Sequence, residues 1–140
     1  MQLDDGYLIV LPRDEAKAFF GNREDKARLT FLQELLANEN VQRLCLDGKW
    51  QTYHDTLAAI DIPDSMLAQC LLGGRPMYGG SEYQVFLVRP DIVGFIAQQG
   101  SSIDETSVSS DLRQDIQSII KLYATAAELG GAMVFVAATK

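Results

Sequence analysis

Apolar and polar positions along this chain fall into blocks with two different periods, and the blocks alternate between strand and helix. Residues 7 to 11, YLIVL, are a continuous apolar run of strand formers stopped by Pro12, which predicts a buried strand. Residues 13 to 20 have helical character up to a stop signal at Gly21-Asn22. A stronger helix is predicted over 25–37, where Leu29, Leu32 and Leu36 mark one face with Phe31 and Leu35 beside it. Residues 41 to 46 fit either a short strand or the lead into the next helix.

The stretch LDGKWQTYHDTLAAI, residues 46 to 60, reads as a helix with Asp47 as N-cap, its carboxylate accepting from the amides of Gly48, Lys49 and Trp50. Trp50, Tyr53, His54 and Leu57 then fall at i, i+3, i+4 and i+7, a single face. Pro63 is expected to start a further short helix with Met66, Leu67, Cys70 and Leu71 turned inward. Gly73-Gly74 and Gly79-Gly80 flank Arg75-Pro76-Met77-Tyr78, the pattern of a tight exposed turn. A strand follows over 81–88, then a proline-started helix over 90–100 carrying Ile92, Val93, Phe95 and Ile96.

Residues 101 to 110 form a polar loop. Asp111 with Gln114 three residues later suggests a reciprocal cap for the last helix. Its apolar stripe is Leu112, Ile116, Ile119, Ile120, Tyr123 and Ala127, and Gly130-Gly131 ends it. Residues 132 to 138 are wholly apolar, a strand buried on both faces. The elements add up to α+β architecture: a single small domain over residues 1–140, a few central strands with several helices packed around them.

Composition narrows the function. With 140 residues and 47% apolar content the chain holds one full core, and 22% charged residues without low-complexity blocks argue against disorder. A net charge of −7 and a pI near 4.6 oppose nucleic-acid binding, which needs clustered Lys and Arg, and suit a basic partner protein. Cys45 and Cys70 form no C-x-x-C pair and have no histidine at ligand spacing, so neither metal nor another cofactor is expected. Both sit in apolar runs, which favours buried reduced thiols and a cytoplasmic setting. The N-terminal segment places acidic residues ahead of its short apolar run, and no stretch nears the roughly 20 apolar residues of a membrane span, so neither export signal nor membrane segment is expected.

Candidate chemistry is sparse. His54 is the one histidine and has the titration range of a general acid or base, but Asp47 lies seven residues back and Asp55 points elsewhere. Cys45 is flanked by Leu44 and Leu46, surroundings that disfavour the thiolate. His54 is therefore read as packed at the core edge, with one nitrogen bonded to a backbone carbonyl. The loop GGRPMYGG matches neither G-x-G-x-x-G nor the P-loop, although Arg75 and Tyr78 are residue types favoured as interface anchors. Arg89 and Asp91 suit an ion pair across a strand–helix junction. No G-x-S-x-G occurs, and Asp104-Glu105 in a polar loop reads as solvated charge rather than a glycosidase pair.

Several of these features recur in a fixed order: LDGKW followed by His54 and Leu57, then Leu71-Leu72-Gly73-Gly74, Tyr78-Gly79, the strand and proline-started helix of 85–96, and the long helix before AMVFV. In this the chain resembles the YfbM-like family, small uncharacterised bacterial proteins, over most of its length from about Tyr7 onward. It departs from the family pattern at Ala58-Ala59-Ile60-Asp61 and at Met77-Tyr78-Gly79-Gly80. The resemblance implies an α+β fold and a cytosolic bacterial protein, and carries no established reaction.

Two functional expectations follow. The first is a non-catalytic protein-binding module, in one form an immunity protein covering a basic toxin domain, with Arg75, Met77, Tyr78, Asp104 and Glu105 at the contact. The second is a small enzyme or ligand-binding protein whose pocket is lined by Trp50, Tyr53, His54 and Tyr78.

Overall fold

The computed structural model describes residues 6–21, 24–38, 41–60, 62–72, 74–77, 83–104, 106 and 108–138. Five strands, β1 (Tyr7–Leu11), β2 (Arg43–Cys45), β3 (Arg75–Pro76), β4 (Tyr83–Val88) and β5 (Ala132–Ala138), form one antiparallel sheet in the order β2-β1-β5-β4-β3. The last strand in sequence lies in the middle. Leu8 and Phe86 both sit opposite Phe135, and Ile9 and Leu87 both sit opposite Val134.

Alternation sends the odd and even side chains of each strand to different cores. Ile9, Leu11, Val85, Leu87, Val134 and Val136 meet Phe19 of α1 (Arg13–Gly21) and Leu32 and Leu35 of α2 (Asp25–Ala37). Leu8, Val10, Val88, Met133 and Phe135 face α3 (Trp50–Ala58), α4 (Pro90–Gly100) and α5 (Arg113–Glu128). The molecule is thus a three-layer α/β/α arrangement, and the expected α+β class holds. The apolar run of β5 reflects this cover on both faces, here on an antiparallel sheet. Gly130, at φ +64, supplies the left-handed residue that ends α5 and turns the chain into β5.

Four local expectations are corrected. Asp47 does not cap α3: it occupies the left-handed region (φ +50), its Oδ1 lies 3.4 Å from Cys45 Sγ, and the cap position belongs to Lys49, which makes no side-chain cap bond. Asp111 does not cap α5 either. The carbonyl of Ser109 accepts from the amides of Leu112 (2.9 Å) and Arg113 (3.1 Å), so the backbone of the preceding turn replaces a side-chain cap and α5 starts at Arg113. Pro63 opens a turn rather than a helix. The Gln99 side chain of α4 accepts from Met66 N (2.7 Å) and donates to Asp64 O (2.9 Å), which satisfies that backbone without helical bonds, and only a 3-10 turn, Leu67–Cys70, follows.

The fourth correction concerns the glycine-flanked segment. Arg75 and Pro76 pair with Leu87 and Phe86 as an edge strand, Met77 N bonds Val85 O at 2.8 Å, and the Met77 side chain is 2% exposed beneath α1 and α2. A buried methionine cannot serve as an exposed contact anchor, so Met77 leaves the list of partner-binding residues. Residues 41 to 46, left open between strand and helix lead-in, hold β2.

Candidate functional site

The face of α3 carrying the single tryptophan and histidine is a packed one. The Trp50 ring lies 5.7 Å from that of Phe135, and Gly6 lies so close that a Cβ there would stand 3.0 Å from Trp50 Cδ1. Tyr53 and Leu57 are buried, and the Tyr53 hydroxyl donates to Asp115 Oδ2 at 2.8 Å. Burial, and then the neighbouring Asp115 carboxylate, push the Tyr53 hydroxyl up to about 12. His54 is half-buried, and its Nδ1 is buried without a hydrogen-bond partner, so the expected bond to a backbone carbonyl is not formed at that nitrogen. The open space beside Tyr53, bounded by Cys45, Asp47, Asp115 and Ser118, is about 50 Å³. That is room for a water molecule or two, well short of a small-molecule site.

Neither thiol is poised for attack. Cys45 is raised by burial and by the Asp47 carboxylate beside it, and Cys70 is raised further by complete burial. Near Cys70, Tyr123 donates to the Cys70 carbonyl at 2.6 Å from a fully buried position, tying α5 to the 3-10 turn. Among the described residues, no three His, Cys, Asp or Glu side chains gather at metal-binding distance.

Of the remaining proposed contact residues, the structure describes two, Arg75 and Asp104. Arg75 sits on the edge strand, while Tyr78 and Glu105 lie outside the described residues. Asp104 is exposed, and its Oδ1 accepts from Thr106 N at 3.0 Å; the Thr106 amide and hydroxyl, with a smaller pull from Arg113, hold its carboxyl below the usual range. Arg89 and Asp91 form the expected junction pair at 3.4 Å, both well exposed, so the pair adds little stability.

A roomier concavity than the one beside Tyr53 lies between α4 and α5. α4 ends where Gly100 meets Ile120: a Cβ on Gly100 would stand 2.4 Å from Ile120 Cγ2, so only glycine permits this approach. Beyond it the chain peels away. Ser101 folds its hydroxyl back on Gln98 O (2.6 Å), and the loop then returns Ile103 and Val108 inward. Arg113 Nε bonds Val108 O at 3.1 Å and holds the end of that loop against α5. A cavity of about 320 Å³ results, floored by Ala97, Ile103, Val108, Ile116 and Ile120, with the exposed Ala124 at its rim. Arg113, Gln117 and Lys121 line its polar side at i, i+4 and i+8 of α5. Periodicity marked Ile116 and Ile120 as part of an apolar stripe, but the polar row beside them went unread and nothing in the sequence signalled that part of the stripe is open.

No family model matches the chain, and no curated protein matches it. Among solved structures it is similar to YfbM from Escherichia coli, a protein of unknown function, at 13% identity and a TM-score of 0.66, over 94% of this chain and 98% of that one. The chain has a YfbM-like fold.

Proposed function

We propose that this protein is a non-catalytic binding module whose contact site is the α4–α5 cleft. The observation that carries the reading is the lining: an aliphatic floor with a cationic and amide side, and no cysteine, histidine or carboxylate among the lining residues. Such a surface can hold an apolar body and orient one polar end, and it lacks the histidine, thiol and carboxylate groups that most often move protons in catalysis, while the Ser101 hydroxyl is turned back on Gln98 O. The ligand-binding expectation thereby moves from the α3 face, where Trp50 and Tyr53 are committed to packing, to the opposite edge of α5. Ala124 is exposed at the rim, so Ala124→Phe should fill the cleft and leave the fold intact. In a thermal-shift screen, compounds that stabilise the native chain should lose most of that effect on the variant. Stabilisation that persists unchanged on Ala124→Phe would place the binding site elsewhere.

A second reading, a basic protein partner such as a toxin domain in the bacterial cytosol, draws on the net charge of −7 and on exposed carboxylates including Asp64, Asp91, Asp104 and Asp111. No helix among the described residues is long and apolar enough to cross a membrane. This reading predicts one stoichiometric partner captured from native lysate at low salt and released at high salt. Capture that resists high salt, or none at all from a folded sample, would dismiss it.

A further inference from the structure

We infer that the α4–α5 cleft takes a linear amphipathic monocarboxylate, an acyl chain of medium length, with its carboxylate on Lys121 and its chain over Ile120, Ile116 and Val108. The inference rests on the reading of the cleft as the binding site, and adds the class of ligand.

The floor is aliphatic, with no aromatic ring among its lining residues, so it offers a flexible chain contact area without a stacking partner for a planar base or ring. The two cations differ. Arg113 is already engaged, with Nε on Val108 O and its charge close enough to act on Asp104. Lys121, two helical turns along α5 and so about 12 Å away, is exposed and forms no ion pair among the described residues. A carboxylate entering the cleft therefore finds its free counter-charge at the Lys121 end, and the chain is left to run toward Val108.

Size and net charge exclude larger anions. A volume of about 320 Å³ is at the low end of small-molecule sites, which span roughly 300–1000 Å³. An acidic peptide would bring several charges into the field of a −7 protein, whereas a fatty carboxylate brings one, at contact distance from a cation. A cationic amphiphile of the same length would set its head against Lys121 and Arg113.

The test is titration of uniformly 15N-labelled protein with decanoate below its micelle concentration, with 1-decanol and decyltrimethylammonium in parallel, on the native chain and on Lys121→Met and Ala124→Phe. Decanoate should shift the amides of residues 97–103 and 113–124 saturably. Lys121→Met should weaken it by about three- to tenfold, the scale of a partly exposed charge-assisted contact, and leave decanol unchanged. Ala124→Phe should weaken both. If decanol matches decanoate and Lys121→Met changes neither, or if the ammonium binds best, the carboxylate assignment is overturned while the cleft remains a binding site. If none of the three produces saturable shifts in a folded sample, the binding-site reading falls with it.

Discussion

Gly94 and Gly100 stand six residues apart in α4, and the same substitution at each should change stability in opposite directions. A Cβ at Gly94 would meet nothing within 4 Å. Gly94→Ala therefore only restores helix propensity at an exposed interior position and should stabilise by about 0.5–1 kcal/mol. A Cβ at Gly100 would stand 2.4 Å from Ile120 Cγ2 and 2.9 Å from its Cδ1. The Cγ2 methyl is fixed to a β-branched carbon whose helical rotamer is strongly preferred, so it cannot swing aside. Overpacking of this kind costs about 1–3 kcal/mol. The propensity gain at a helix end is smaller than at Gly94, so Gly100→Ala should destabilise by about 1–2 kcal/mol. In an Ile120→Ala background Cγ2, Cδ1 and the Cγ1 at 3.2 Å are gone, and the sign should reverse to a gain of about 0.5 kcal/mol. The resulting coupling of roughly 1.5–2.5 kcal/mol falls in the range of residues in direct contact. Urea unfolding at 25 °C, followed by Trp50 fluorescence and helical circular dichroism, reads each change as a displaced midpoint at constant slope, roughly 0.5–1 M per substitution. A stabilising Gly100→Ala, or one equally harmful with and without the Ile120 side chain, would refute the close approach that shapes the cleft.

Three further outcomes are expected. Tyr53 has its folded pKa raised to about 12 from 10.0, so the stability it contributes is complete below pH 10 and is lost as pH rises toward 12. Native protein should therefore lose stability more steeply across that window than Tyr53→Phe; parallel curves would contradict the Asp115 bond. His54→Ala should lower stability by about 1–2 kcal/mol through lost packing, while His54→Leu recovers most of it because Nδ1 makes no bond to lose; equal losses in both variants would mean that the imidazole has a partner. Toward a thiol-specific disulfide reagent at neutral pH, Cys45 should react slowly and Cys70 only at the rate of unfolding, and two fast equivalents in native buffer would contradict the burial of Cys70.

Much of the element map was legible because each element carries its own local signal. Five consecutive strand formers before Pro12 made β1, Pro90 and Gly100 bounded α4, and an unbroken apolar run marked β5 as the strand covered on both sides. The spacing of Trp50, Tyr53 and Leu57 likewise identified a packed face of α3. Periodicity is a property of the chain itself, since the helical or pleated backbone alone decides which residues share a face.

What the sequence left open depends on the backbone geometry of individual turns and on partners distant along the chain. Asp47 and Asp111 had the chemistry of caps, yet a left-handed turn removed one and the carbonyl of Ser109 displaced the other. Met77 looked exposed between glycines, but pairing of β3 with β4 turned it under α1 and α2. The cleft joins Ala97, Val108 and Ile120 from two helices and a loop, and exists because Gly100 lets α4 touch α5 and Arg113 ties the loop back. The chain by itself determined which residues are apolar and which of them share a face. Only the tertiary structure decided which of those faces are covered, because burial is fixed by the element that arrives opposite, and a single stripe can be core at Ile119 and open floor at Ile120.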